Sequence, residues 1–201
     1  MKLYYVPRTR ATRVRWLLEE LGVPYQLVRL DTSKKENKQP DYLAIHPLGH
    51  VPALVDQDVS LIESAAICMY LADKFPEKKL APALGSKERA SYYQWIMFAM
   101  TTVEPPLITI AMHTRFLPEE KRNPAMIPEA QGRLKEVLGV LEKRMEGKQF
   151  AVGDHFTAAD AVLGSTLIWG NAMGQIQGFP SLEAYIKRMM ERPAQKKAAA
   201  D

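Results

Sequence analysis

Over the first eighty residues, apolar and polar positions alternate between strand-like and helix-like grammar. KLYYV (2–6) is aromatic and β-branched, and from about Arg10 to Leu21 the residues Val14, Leu17, Leu18 and Leu21 recur at helical spacing. Gly22 and Pro24 end that helix. YQLVRL (25–30) reads as a second strand, so the opening is a β-α-β unit with parallel strands and a right-handed crossover. A polar stretch, DTSKKENKQP, leads to a short helical piece around Asp41 to Ile45. VPALVD (51–56) and VSLI (59–62), separated by Gln57 and Asp58, predict a hairpin. Glu63 to Lys74 closes this half as a helix with Ala66, Ile67, Tyr70 and Leu71 on one face.

From Ser86 onward strand signals vanish. Ser86 to about Arg115 predicts one long helix, bent at Pro105 and Pro106 because each removes a backbone donor and crowds the preceding turn. Leu134, Val137, Leu138, Leu141 and Met145 mark another helix. Thr157 to Trp169 gives a third, and Leu182 to Met190 a fourth, stopped by Pro193. Prolines and lysines cluster in FPEKKLAPALG (75–85), which sets the break. The expectation is a mixed α/β domain over residues 1–80 and an all-helical one over 86–201, with a frayed tail, AQKKAAAD. Internal repeats are absent from the sequence.

Composition narrows the function. An apolar fraction of 47% over 201 residues supports an ordinary core, and a net charge of +4 with interspersed signs argues against a dedicated nucleic-acid surface. Arg8, Arg10, Arg13 and Arg15 form the one dense cationic cluster. A single cysteine, Cys68, excludes an intrachain disulfide, and its place in an apolar helical pattern reads as a small buried hydrophobe. MKLYYVPRTR lacks the apolar segment of a signal peptide, and no run of twenty apolar residues suggests a membrane span. A cytoplasmic protein with no nucleic-acid or membrane partner is expected. His46, His50, His113 and His155 lack metal-ligand spacing, and neither G-x-S-x-G nor a phosphate-binding glycine loop is present.

The candidate chemistry lies in HVPALVDQDVSLIES (50–64). A cis Val51-Pro52 bond would turn the Val51 main chain outward to pair with an extended peptide, whereas the dipeptide alone fits an ordinary trans proline on an edge strand better. Glu63 and Ser64 fall at a helix mouth, where the amides and dipole suit a ligand carboxylate and the Glu63 side chain suits an ammonium. An α-amino acid headgroup carries both charges. Helix capping and dipole complementation by the same two residues explain the pattern equally. In the first loop, Thr9, Thr12 and Tyr5 are hydroxyl donors for a thiolate; the alternatives are a helix cap for the threonines and sheet packing for the tyrosine. Arg10 adds positive potential, or belongs to a solvated face.

These pieces together resemble the cytosolic glutathione transferases, bacterial and fungal members above all, over nearly the whole chain. HPLGHVPALVDQDVSLIESAAICMYLADKFP is similar to the family's N-P-x-G-x-V-P-x-L and E-S-x-A-I-x-x-Y-L signatures. VGDHFTAADA resembles its G-D-x-[FY]-[ST]-x-A-D element, and FPSLEAYIKRMMERPA its last helix. The resemblance implies a thioredoxin-like first domain, an all-α second domain, a homodimer, and glutathione as co-substrate with no tightly bound cofactor or metal. It assigns Val51 to main-chain pairing with the cysteinyl part of glutathione, Pro52 to the cis-proline, Glu63 and Ser64 to the γ-glutamyl end, and His50 to a further contact. Thr9 falls where several classes have the catalytic serine, and Tyr5 where the tyrosine classes keep their phenol. Arg10 occupies the place of the reactive cysteine of another class, which disfavours thiol-disulfide chemistry.

The activity implied is attack of glutathione thiolate on a small apolar electrophile, with Tyr93, Met97, Met100, His113 and Phe116 of the long helix lining a second-substrate region between the domains. The same residues on one helix fit an ordinary core stripe. Glu104 fits a contact to glutathione across a dimer interface, or a plain helix-surface carboxylate. Thr157 and Asp160, three apart, read as a capping box that serves folding. Other glutathione-dependent reactions on this scaffold (peroxidase, isomerase, dehalogenase) and a non-catalytic interaction protein remain the alternatives.

Overall fold

The computed structural model describes residues 1–200, which form two compact units, one of residues 1–81 with the C-terminal stretch from 191, the other of residues 82–190. In the first, β1 (Lys2–Tyr5) pairs in parallel with β2 (Gln26–Arg29) and antiparallel with β3 (Ala53–Asp56), which pairs antiparallel with β4 (Val59–Leu61). The order β2-β1-β3-β4 is a small mixed sheet in which β1 and β3 are neighbours. The predicted crossover is α1 (Ala11–Leu21), and its stop is Gly22, which takes the left-handed conformation and donates its N–H to the Leu18 carbonyl.

After β2 a single 3-10 turn (Glu36–Lys38) leads into α2 (Pro40–Leu43), and β4 leads into α3 (Ser64–Lys74). Helix α1 packs on α3, while Tyr42 of α2 joins Leu30, Ala53 and Tyr4 in a separate apolar cluster. Asp56 at the end of β3 takes a hydrogen bond from the Tyr70 hydroxyl at 2.9 Å and an ion pair from Lys74, so α3 is tied to the hairpin. Cys68 is buried, as its pattern predicts, and burial pushes its thiol up to about 12.

In the second unit the long helix runs unbroken from Lys87 to Phe116. It consists of α4 (Lys87–Phe98), a π stretch (Ala99–Val103), α5 (Glu104–Ala111) and a second π stretch (Met112–Phe116). The wider π turn falls just before Pro105 and Pro106, where an α-helical ladder would lose donors and crowd the ring. By length and hydropathy this helix would pass for a membrane span, but half of its most apolar stretch is buried inside the unit, where α5 packs on α6 (Met126–Met145) and α4 on α7 (Ala158–Ala172). The Thr157–Asp160 capping box is present, and the buried Asp160 carboxylate also accepts from Ala151 N at 2.7 Å and the Tyr185 hydroxyl of α8 (Pro180–Glu191) at 2.9 Å.

The tail differs from expectation. Instead of fraying, residues 193–198 form α9 (Pro193–Ala198), which packs on α1 within the first unit. Arg192 holds Glu20 through two hydrogen bonds, at 2.6 and 2.8 Å, and Lys197 pairs with Glu19 at 2.7 Å. Gln195 and Ala198 are buried, one turn apart on the face that meets α1. Periodicity gave no warning because six residues are too few to show it.

Candidate functional site

The first unit gathers most of the predicted residues at one end of its sheet. Tyr4 pairs with Ala53, so the end of β1 lies beside the residues that enter β3, and Val51-Pro52 is a cis peptide bond. Tyr5, the last residue of β1, is buried with the Arg15 guanidinium over its ring, 5.7 Å from the centroid. The following loop carries Arg8 at positive φ and leaves Arg8 and Arg10 exposed.

Thr9 is half-buried. Its hydroxyl donates to the Val6 carbonyl at 2.7 Å and accepts the Ala11 N–H at 3.3 Å. It therefore takes the first N–H of α1 from outside the N-cap position, and its own proton is directed to Val6. Donation to a sulfur requires the hydroxyl to turn away from Val6.

Glu63 and Ser64 resolve the capping question. Ser64 is the first residue of α3, not its cap, and no side chain caps this helix. Its hydroxyl instead accepts from Arg13 Nη1 at 3.3 Å, an interaction fully inside the protein. Glu63 sits at φ 67°, ψ 107°, a conformation that costs an L-residue about 1–3 kcal/mol, and its side chain is exposed. The chain thus keeps a strained, outward-facing carboxylate at a helix amino end, where only glycine would be relaxed.

Arg13 was legible only as part of an arginine cluster on a solvated face. It is 3% exposed, and Arg15 is buried too. The missed signal is spacing: Arg13 falls one and two turns before Leu17 and Leu21, on the buried stripe. A buried guanidinium behind Ser64 adds positive charge to a helix mouth that already favours anions.

His50 is exposed, and its ring lies 5.7 Å from that of His46, which is buried. Burial first, and then the neighbouring His50, hold the His46 imidazole below its ordinary value. Sequence reasoning gave His46 no role beyond the absence of a metal pattern, and no His/Cys/Asp/Glu cluster suited to a metal exists among the described residues.

The second-substrate candidates lie in the other unit. Tyr93, Met97 and Phe116 are 38%, 47% and 65% exposed, with Met100 and His113 partly so. This exposure excludes a plain core stripe. His113 Nδ1 accepts the Asn123 N–H at 3.1 Å, fixing the ring against the following loop. Glu104 corrects the surface reading: it is 2% exposed and meets the Thr166 hydroxyl of α7 at 3.4 Å. An open depression of about 430 Å³ near Asp154 and His155 contains none of the residues expected to bind or activate a thiol.

Family models agree with this arrangement: the glutathione S-transferase N-terminal domain matches residues 1–73 and the C-terminal domain residues 103–193. The chain belongs to the glutathione S-transferase family. Glutathione S-transferase GstA of Escherichia coli O157:H7 is 31% identical over 196 residues, 96% of this chain and 94% of that protein. Glutathione S-transferase F10 of Arabidopsis thaliana is 36% identical over 152 residues, 71% of this chain and 68% of that one. Among solved structures, a sphingomonad glutathione S-transferase complexed with glutathione superposes with a TM-score of 0.86 at 28% identity, covering 100% of this chain and 98% of that one. The thioredoxin-like sheet and the helical second unit are thus those of the transferase fold, and the chain is an enzyme of this family.

Proposed function

We propose that this transferase binds glutathione along the first unit and directs its thiolate at small apolar electrophiles. The observation that carries the reading is the α3 mouth, where exposed Glu63 stands beside Ser64 and the buried Arg13. An ammonium and a carboxylate on one carbon find opposite charges there, which is the chemistry of a γ-glutamyl end. Val51 offers its main chain to the cysteinyl part, with Pro52 fixing its direction and His50 and Arg10 flanking it.

The chemical task is modest in energy. A free thiol near pKa 8.5 is only about 3% thiolate at pH 7, and thiolate is the nucleophile. Lowering the value by about two units requires about 2.7 kcal/mol. One hydrogen bond to the charged sulfur, from Thr9 or Tyr5, supplies about 1.5–3 kcal/mol, and the amino end of α1 up to about 1 more. Thr9 competes with its own bond to Val6, whereas Tyr5 competes with its packing under Arg15.

The electrophile's apolar body would lie against Tyr93, Met97, Met100, His113 and Phe116, and holding both reactants together supplies the remaining rate advantage. We further propose that the protein works as a cytoplasmic homodimer in detoxification, a reading that rests on the family resemblance. Retention on immobilised glutathione with release by the free tripeptide tests the assignment. Glu63→Ala and Ser64→Ala should abolish retention, while Thr9→Val and Tyr5→Phe should spare it. Retention unaffected by both α3 substitutions would overturn it.

A further inference from the structure

Three consecutive carbonyls before Val51 are each caught by a side chain from the segment between β2 and β3, two from the polar stretch and one from α2. Lys38 Nζ donates to Leu48 O at 2.7 Å, Asn37 Nδ2 to Gly49 O at 2.7 Å, and the Tyr42 hydroxyl to His50 O at 2.5 Å. The backbone reinforces the same register through Gly49 N to His46 O at 2.7 Å. At Gly49 a side chain is impossible: a Cβ would stand 2.3 Å from the Asn37 carbonyl, and φ is +60°. The two segments therefore meet main chain to main chain.

A loop ordinarily satisfies its carbonyls with water and moves accordingly. Here the segment 48–50 has lost that freedom at the three positions that lead directly into Val51. Tyr42 is the inner pin. It is buried, its ring lies 5.4 Å from that of Tyr4 in β1, and it belongs to the cluster of Leu30 and Ala53 against which Val51 packs. The sheet and the loop are thus joined through one phenol. Lys38 is the outer pin, exposed to solvent, and Asn37 lies between them, half-buried.

We propose that Tyr42 and Asn37 are positioning residues for glutathione: by holding the carbonyls of His50 and Gly49 they fix the main chain of Val51 in the orientation that receives the peptide. The inference rests on the glutathione-binding reading above and adds to it residues that touch no ligand. Burial pushes the Tyr42 phenol up to about 12, so it remains a donor throughout the physiological range.

Tyr42→Phe, which removes one oxygen, is the discriminating variant. Its KM for glutathione should rise about three- to tenfold, as the loss of one hydrogen bond implies. The KM for 1-chloro-2,4-dinitrobenzene and kcat at saturating glutathione should stay within about twofold of the wild type, because Thr9, Tyr5 and the helical unit are untouched. Amide exchange in the ligand-free protein should quicken at residues 48–53 and not in α3. Asn37→Ala, at a half-buried side chain, should reproduce both effects and carries the test if Tyr42→Phe does not fold. A folded variant with a lower melting temperature but an unchanged glutathione KM and unchanged exchange at 48–53 would overturn the proposal and reduce the contacts to plain stability. A wild type that binds no glutathione would instead overturn the underlying reading, and the proposal with it.

Discussion

Arg13 donates through Nη1 to the hydroxyl of Ser64 at 3.3 Å, and both side chains are buried. The charge beneath the α3 mouth thus comes from α1, fifty-one residues away. Replacing Arg13 by methionine keeps much of the stem and removes that charge. Glutathione affinity should fall about tenfold or more, the range of a hydrogen bond to a charged group. Calorimetric titration of Arg13→Met against Arg13→Lys checks it, with lysine restoring part of the loss.

Glu63 predicts a separation of stability from binding. At φ 67° and ψ 107° glycine is relaxed and alanine is not. Glu63→Gly should be more stable than Glu63→Ala by about 1 kcal/mol, while both lose retention on glutathione. Urea unfolding of the two variants decides it.

His46 makes the first unit sensitive to acid. Its folded value lies below the unfolded 6.5, chiefly through burial, so the unfolded chain takes up the proton more readily. The stabilisation is complete above about pH 6.5 and is lost as pH falls through that value toward the folded one. His46→Asn, which restores the asparagine of the family signature, should flatten the stability profile between about pH 7 and 5. An unchanged acid dependence in unfolding curves of the variant would contradict this.

The tail carries a prediction of its own. Arg192 and Glu20 form a fork-to-fork pair while Trp16 Nε1 donates to the same carboxylate at 2.9 Å. Arg192→Ala should cost about 1–3 kcal/mol because the pair is mostly shielded. Truncation after Glu191 should cost more, since α9 also buries Gln195 and Ala198. Thermal melts, with proteolysis to report which unit opens first, test both.

The fold was legible where patterns were long or punctuated. Parallel β1 and β2, the hairpin, the long helix and the capping box all follow from spacing and turn residues. Among the candidate site residues, Glu63 and Ser64 were singled out by their place at a helix mouth, although Ser64 is an acceptor for Arg13 and not a cap. Arg13, Asn37, Lys38 and Tyr42 escaped because they act through contacts 8 to 51 residues apart, or on backbone carbonyls that no side-chain pattern records. α9 escaped because its six residues carry too short a period, and the exposure of Tyr93, Met97 and Phe116 stayed open between two readings because helical spacing looks the same for a core stripe and an exposed one.

The central claim is that the first unit acidifies a bound thiol, and ultraviolet titration of glutathione in the complex tests it most directly. The thiolate band should appear with a midpoint about two units below that of free thiol near 8.5, and either Thr9→Val or Tyr5→Phe should move it back up, naming the sulfur's donor. A midpoint in the wild type equal to that of free glutathione, or one indifferent to both substitutions, would contradict the account.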